Sequence, residues 1–189
     1  MSTPHDRIEA AFHAAPRQAF LPRGQRRFAG ADQALPIGHH QTNSQPSTVR
    51  RMLELLDVQE GQRVLDVGSG SGWTTALLAL LVGPTGTVYA VERIDALVVT
   101  SGAVLAELDL PWAHVERTEG ALGRPATAPY DRILVSAQAK EIPEPLVQQL
   151  EDGGVMVVPV AGRLARVVRR GSAVDLTWHG HYRFVPLIT

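Results

Sequence analysis

Hydrophobic and polar positions along this chain fall into three rhythms. The first is helical. Thr3 stands as an N-cap before Pro4 at the first helical position, Ile8, Ala11, Phe12 and Ala15 share one face, and Pro16 ends the helix. An irregular stretch rich in Arg, Gly and Pro follows. A second helix is expected to start at Ser44, with Pro46 in its first turn. It would bury Val49, Met52, Leu53, Leu56 and Val58 and close at Glu60 and Gly61.

The second rhythm alternates apolar runs with helical ones. "RVLDV" (63–67), "GTVYAV" (86–91), "AHVER" (113–117), "DRILVS" (131–136) and "GVMVVPV" (154–160) read as five strands. Helices are expected between them in "WTTALLALL", from about Asp95 to Leu108, and in "PEPLVQQL". Strands that are apolar throughout and alternate with helices predict an α/β fold, with a mostly parallel sheet covered by helices on both faces.

The third rhythm drops the helices. "RLARVVR", "AVDLTW" and "YRFVPLI" are three β-like runs separated by Gly-Ser and His-Gly turns, so an antiparallel C-terminal edge is expected. No repeat or long linker divides the 189 residues. One domain is expected, with a helical N-terminal region (1–60), a core (61–160) and a C-terminal β extension (161–189).

Composition adds mostly exclusions. Eighteen Lys and Arg against nineteen Asp and Glu leave a formal net charge of −1, which supplies no general attraction to nucleic acid or membranes. The basic clusters at 23–27 and 166–170 are short and lack interleaved aromatics. With no cysteine there is no disulfide, thiolate metal site or cysteine nucleophile. The N-terminus lacks the order of a signal peptide, and the longest apolar run, 76–82, falls short of the roughly 20 residues needed to span a bilayer. A cytoplasmic monomer is the expected state.

Two stretches carry chemistry. In "LDVGSGSGW" a strand ends in Asp66 and passes into a helix through Gly68, Gly70 and Gly72. That spacing is G-x-G-x-G, not the G-x-G-x-x-G of a dinucleotide site, which disfavours the rival reading of a nicotinamide dehydrogenase. Glu92 ends the next strand, where a carboxylate can accept hydrogen bonds from both hydroxyls of a ribose. Turn, acid and parallel sheet together describe a site for S-adenosylmethionine.

The second stretch, "ALPIGHHQTNSQP" (34–46), offers many neutral donors and little charge. His39 and His40 have no third ligand at a metal-binding spacing, so no metal is expected. Ser44 lacks the strand-turn-helix context of a hydrolase nucleophile. Sequence order alone makes Ser44 an N-cap. Asp66 can equally be a structural acid that fixes the glycine turn, and Trp73 is expected to pack at the start of its helix.

From about Phe20 to Leu187 the chain resembles the protein-L-isoaspartate O-methyltransferases. The likeness is carried by "ALPIGHHQTNSQPSTVRRMLELLDVQEGQRVLDVGSGSGW", "VYAVERI", "APYDRILVSAQAKEIPEPLVQQLEDGGVMVVPV" and "YRFVPL". The resemblance implies a Rossmann-like class I methyltransferase fold and methyl esterification of the free carboxylate of isoaspartyl residues in damaged peptides. It implies that Ser44 is the active-site serine, with Thr42 as a second donor. It also implies cofactor contacts from Gln41, Asp66, Gly68, Ser69, Gly70, Gly72, Glu92, Arg93, Glu119 and Gly120. Three positions depart from the family pattern: His40 replaces a loop glycine, Asn43 stands where isoleucine is usual, and Thr118-Glu119-Gly120 replaces Gly-Asp-Gly. Two alternatives stay open on these departures. One is a related carboxylate methyltransferase for a dedicated peptide or small molecule. The other is a cofactor-binding protein without catalysis.

Overall fold

The computed structural model describes residues 3–118 and 120–188. Helix α1 (Pro4–Ala14) begins at Thr3 in a capping box: Asp6 N–H donates to Thr3 Oγ1 at 3.1 Å, and Thr3 N–H donates to Asp6 Oδ2 at 2.9 Å. Two short 3-10 turns, Arg17–Phe20 and Arg23–Phe28, carry the chain to a hairpin. The hairpin is a correction to the sequence reading, which has only a polar loop there. Strand β1 (Leu35–Gly38) pairs antiparallel with β2 (Gln41–Asn43), and His39 and His40 make the turn at φ 52° and 59°.

Helix α2 (Pro46–Leu56) starts two residues later than expected, with Gln45 and not Ser44 at its N-cap position. Its orphan amide is satisfied from elsewhere, because Ser47 N–H donates to Asp32 Oδ1 at 2.9 Å. The helix also ends earlier than Glu60-Gly61, at Asp57 in the left-handed region.

The core follows as β3 (Arg63–Val67), α3 (Trp73–Val82), β4 (Thr87–Glu92), α4 (Asp95–Glu107), β5 (Ala113–Arg117), β6 (Tyr130–Val135), α5 (Glu144–Val147) and β7 (Leu150–Val160). Helix α5 keeps only four residues of the expected "PEPLVQQL", because Leu150 is drawn into register opposite Tyr130 at the start of β7. Strands β8 (Arg163–Arg170) and β9 (Ala173–His179) complete one sheet in the order β5-β4-β3-β6-β7-β8-β9. Strands β3 to β7 pair in parallel and β8 and β9 antiparallel, as the apolar pattern implies.

The third β-like run of the tail is not a strand. Residues 182–188 instead cross the carboxyl ends of the sheet, where Gln138 N–H donates to Val185 O at 2.8 Å and Leu187 N–H donates to Gln138 O at 2.9 Å. Pro186 has no N–H to give a ladder, and the run finds its partner beyond β6 and not on β9.

Apolar side chains fill both faces. Leu53, Leu56, Leu77, Leu78 and Leu164 are fully buried on the α1–α3 side, and Leu65, Ile133, Leu146 and Met156 on the other. At about 25 cal/mol per Å² of apolar surface removed from water, these clusters set the frame on which the loops are displayed. Strand order reverses between β3 and β6, and the two chains leaving them diverge to open a crevice.

Candidate active site

Three adjoining cavities occupy that crevice. The first is lined by Gln41, Thr42, Gly68, Gly70, Glu92 and Arg93, with walls from Val91, Leu122, Leu187 and Ile188. The second is a small polar recess between the hairpin and the glycine turn, bordered by Thr42, Asn43, Ser44, Ser69, Ser71 and Ser136. The third lies between Ser44, Gln45, Thr48 and the tail residues Tyr182 to Val185. Two hydroxyl residues, Thr42 and Ser136, border all three.

The glycine turn and Glu92 are tied together by the backbone. Gly70 N–H donates to Glu92 Oε2 at 2.9 Å, while Arg93 and Ile94 N–H groups donate to Oε1 at 2.7 and 3.1 Å. The acid is 7% exposed, and three amides hold its carboxyl group in place with lone pairs left over for a ligand. A Cβ added at Gly70 would stand 3.3 Å from Ile37 Cδ1, a tight contact that a small shift of Ile37 would relieve. The hairpin therefore presses directly onto the turn.

The expected cofactor residues separate into groups. Gln41, Gly68, Gly70, Glu92 and Arg93 line the first cavity. Ser69 borders the polar recess, its hydroxyl buried and without a partner among the described residues. Gly72 lies outside the cavities as the residue before α3, where an added Cβ would sit 2.8 Å from Ser101 Cβ. Its role on this geometry is the close packing of α3 on α4. Gly120 is exposed at φ 83° and is not among the cavity residues, although Thr118, Ala121, Leu122 and Gly123 are. Glu119 lies outside the described residues.

Asp66 lies beneath the turn, fully buried. Its Oδ2 accepts from Thr74 Oγ1 and Thr75 Oγ1, both at 2.8 Å, and its Oδ1 has no partner among the described residues. Burial pushes its pKa up to about 6, against the opposing pull of the Thr75 and Thr74 hydroxyls. This is the structural reading of Asp66 made from sequence order, with a titratable group added.

Ser44 reaches both the recess and the third cavity. Because Asp32 caps α2, the Ser44 hydroxyl has no intramolecular partner among the described residues and is free for a ligand. Trp73 packs as expected, edge-on to Phe12, with its indole N–H donating to Ala15 O at 3.0 Å.

Sequence reasoning missed Ser136, the 185–188 crossing and Arg17. Ser136 had a readable signal, since it directly follows β6 at the carboxyl edge beside the strand reversal. The other two had none, because their partners are distant in sequence.

The comparisons with known proteins agree with this geometry. The family model for protein-L-isoaspartate(D-aspartate) O-methyltransferase matches residues 2–189. The chain belongs to this family. Among its relatives, the protein-L-isoaspartate O-methyltransferase of Methanothrix thermoacetophila is 46% identical, over 97% of this chain and 88% of its own length. That of Methanocella arvoryzae is 43% identical, over 92% of this chain and 94% of its own. A solved protein-L-isoaspartate O-methyltransferase superposes with a TM-score of 0.88 at 26% identity, covering 96% of this chain and 61% of the other. A Plasmodium falciparum structure described as a complex with S-adenosyl-L-homocysteine shares the fold, with a TM-score of 0.83 at 23% identity. Membership establishes an S-adenosylmethionine-dependent methyltransferase. Among the described residues, no helix is long and apolar enough to cross a membrane.

Proposed function

We propose that this methyltransferase esterifies the free carboxylate of L-isoaspartyl residues in damaged peptides, with cofactor in the first cavity and acceptor in the third. The observation that carries the reading is the shared border: the hydroxyl residues Thr42 and Ser136 line the cofactor cavity and the acceptor cavity at once, with Ser44 beside them.

The residues present fit an adenosyl cofactor. Gly68 and Gly70 clear the floor, the fixed Glu92 carboxylate suits a ribose diol, and Val91, Leu122 and Leu187 offer apolar walls to a flat base. Gln41 and Arg93 border the same space, Ser69 borders the adjoining recess, and Asp66 supports the turn from below. When bound, S-adenosylmethionine supplies a sulfonium-borne methyl group with a good leaving group behind it.

The chain's own task is then small. In an isoaspartyl residue the chain runs through the side chain and the free group is the α-carboxyl, whose ordinary pKa is about 3.5, so the acceptor arrives ionised and needs no base. Ser44 and Thr42 orient one carboxylate oxygen and replace its water with fixed dipoles, while the 182–188 crossing narrows the cavity to exclude bulk solvent. Neutral donors hold the anion without quenching it. The only charged side chain bordering the acceptor cavity, among the described residues, is the exposed Arg183. The acting unit in this reading is a monomer working on peptides, not on nucleic acid.

The test is methyl transfer from labelled cofactor to matched isoaspartyl and aspartyl peptides. Transfer confined to the isoaspartyl member is expected. Equal labelling of both, or labelling of neither by protein that binds the cofactor, would refute the substrate assignment.

A further inference from the structure

The least expected side chain among the described residues is a buried arginine with no carboxylate of those residues bonded to it. Arg17 is 6% exposed and lies with its guanidinium carbon 5.5 Å from the Trp73 ring centroid. Nε donates to Asn43 Oδ1 at 2.7 Å. Nη1 donates to the carbonyls of Ala31 at 3.0 Å and Ala29 at 3.4 Å. Nη2 donates to Gln33 O at 2.7 Å, Ser44 O at 2.9 Å and Asn43 O at 3.1 Å. Every acceptor is uncharged and five are backbone carbonyls. Asn43 then extends the network to the glycine turn, its Nδ2 donating to Ser71 Oγ at 3.0 Å.

Removing a cation from water is expensive, and a salt bridge is the usual compensation. Here the direct partners are a ring of peptide dipoles, two of them in consecutive peptides on either side of Ser44, with the Asp32 carboxylate attracting the guanidinium from beyond hydrogen-bond reach. In a trans peptide the N–H opposes the C=O. With the Asn43 and Ser44 carbonyls turned onto the guanidinium, the Ser44 and Gln45 N–H groups must point away from it. Neither N–H has a partner among the described residues, and both residues line the acceptor cavity. A cation bonded to the carbonyl end of a peptide polarises it and makes the N–H end a stronger donor.

We propose that Arg17 is a positioning residue for the acceptor: it fixes and polarises the two peptides flanking Ser44 so that their N–H groups, with the Ser44 hydroxyl, form the cradle for the acceptor carboxylate. The inference rests on the proposed function and explains how a cradle of neutral donors attracts an anion. The attracting charge stands one peptide behind the cradle, where it cannot form an ion pair that would hold the carboxylate out of line.

The test compares wild type with Arg17→Lys and Arg17→Ala in S-adenosylhomocysteine binding and in steady-state methylation of an isoaspartyl peptide. Arg17→Lys, which keeps the charge but cannot reach both carbonyls, is expected to lower kcat/KM for the peptide by about 100-fold. Affinity for S-adenosylhomocysteine stays within about threefold, because the first cavity is built by other residues. Millimolar guanidinium added to Arg17→Ala restores part of the rate. Unchanged kcat/KM in Arg17→Lys, or cofactor affinity lost in step with activity, overturns the assignment. A second measurement needs no variant. In wild-type protein saturated with S-adenosylhomocysteine, the isoaspartyl peptide shifts the Ser44 and Gln45 amide proton resonances downfield; unmoved resonances overturn the cradle. A wild-type protein that leaves the isoaspartyl peptide unmethylated counts against the proposed function. A normal wild-type rate with an indifferent Arg17→Lys counts against Arg17 alone.

Discussion

Gly70 N–H donates to Glu92 Oε2 at 2.9 Å, joining the tip of the glycine turn to the acid that ends the neighbouring strand. A cofactor held by either element is therefore held by both. The same carboxylate takes two further amides on its other oxygen.

Replacing Glu92 by Gln removes the charge and turns an amide donor toward backbone N–H groups. Cofactor affinity is expected to fall by about 10- to 100-fold, equivalent to about 1.5–3 kcal/mol for a charge-assisted contact. Titration calorimetry with S-adenosylhomocysteine measures it, and an unchanged dissociation constant would remove Glu92 from the ribose site.

Ser44→Ala separates binding from chemistry. Its hydroxyl does not cap α2, so the fold loses little, and kcat is expected to drop by the worth of one buried hydrogen bond, about 1–3 kcal/mol, with cofactor affinity unchanged. A substantial fall in melting temperature would instead indicate the capping role.

Asp66 gives the fold a pH dependence of defined sign. Its carboxyl is raised from 3.8 to about 6 in the folded state. The contribution to stability is fully present below the unfolded value and is lost as pH rises through the folded one. Relative to Asp66→Asn, the wild-type apoprotein should lose up to about 3 kcal/mol between pH 4 and pH 7. Urea unfolding of both proteins across that range checks it. A difference that is flat with pH would mean Asp66 is ionised throughout.

Two left-handed residues should respond in opposite ways to their reciprocal changes. His40 sits at φ 59° in the hairpin turn, and His40→Gly relieves the backbone strain for a gain of about 1 kcal/mol. Gly72 sits at φ 84° with Ser101 Cβ 2.8 Å from where a methyl would stand, so Gly72→Ala should destabilise by about 2 kcal/mol or more. Denaturant midpoints of the two variants decide both.

Much of the frame was legible because its causes are local. The runs read at 63–67, 86–91, 113–117, 131–136 and 154–160, alternating with helices, have only one economical place, inside a parallel sheet, and β3 to β7 form there. Thr3 and Pro4 announce the start of α1 in two adjacent residues. Gly68, Gly70 and Glu92 meet at the crevice because strand ends and tight turns are determined by neighbours in the chain.

What the tertiary structure alone decided concerns groups whose partners are far away in sequence. Ser44 reads as a cap until Asp32 arrives from another segment to take that work. "YRFVPLI" reads as a strand until Gln138 supplies the backbone bonds that hold it across the cavities. Arg17 carries no signal in the sequence until five carbonyls, spread from Ala29 to Ser44, close around it. Periodicity records which side of an element is apolar; it carries no information about which distant polar group satisfies a given donor. The chemistry of the acceptor site depends on that second question, and folding answers it.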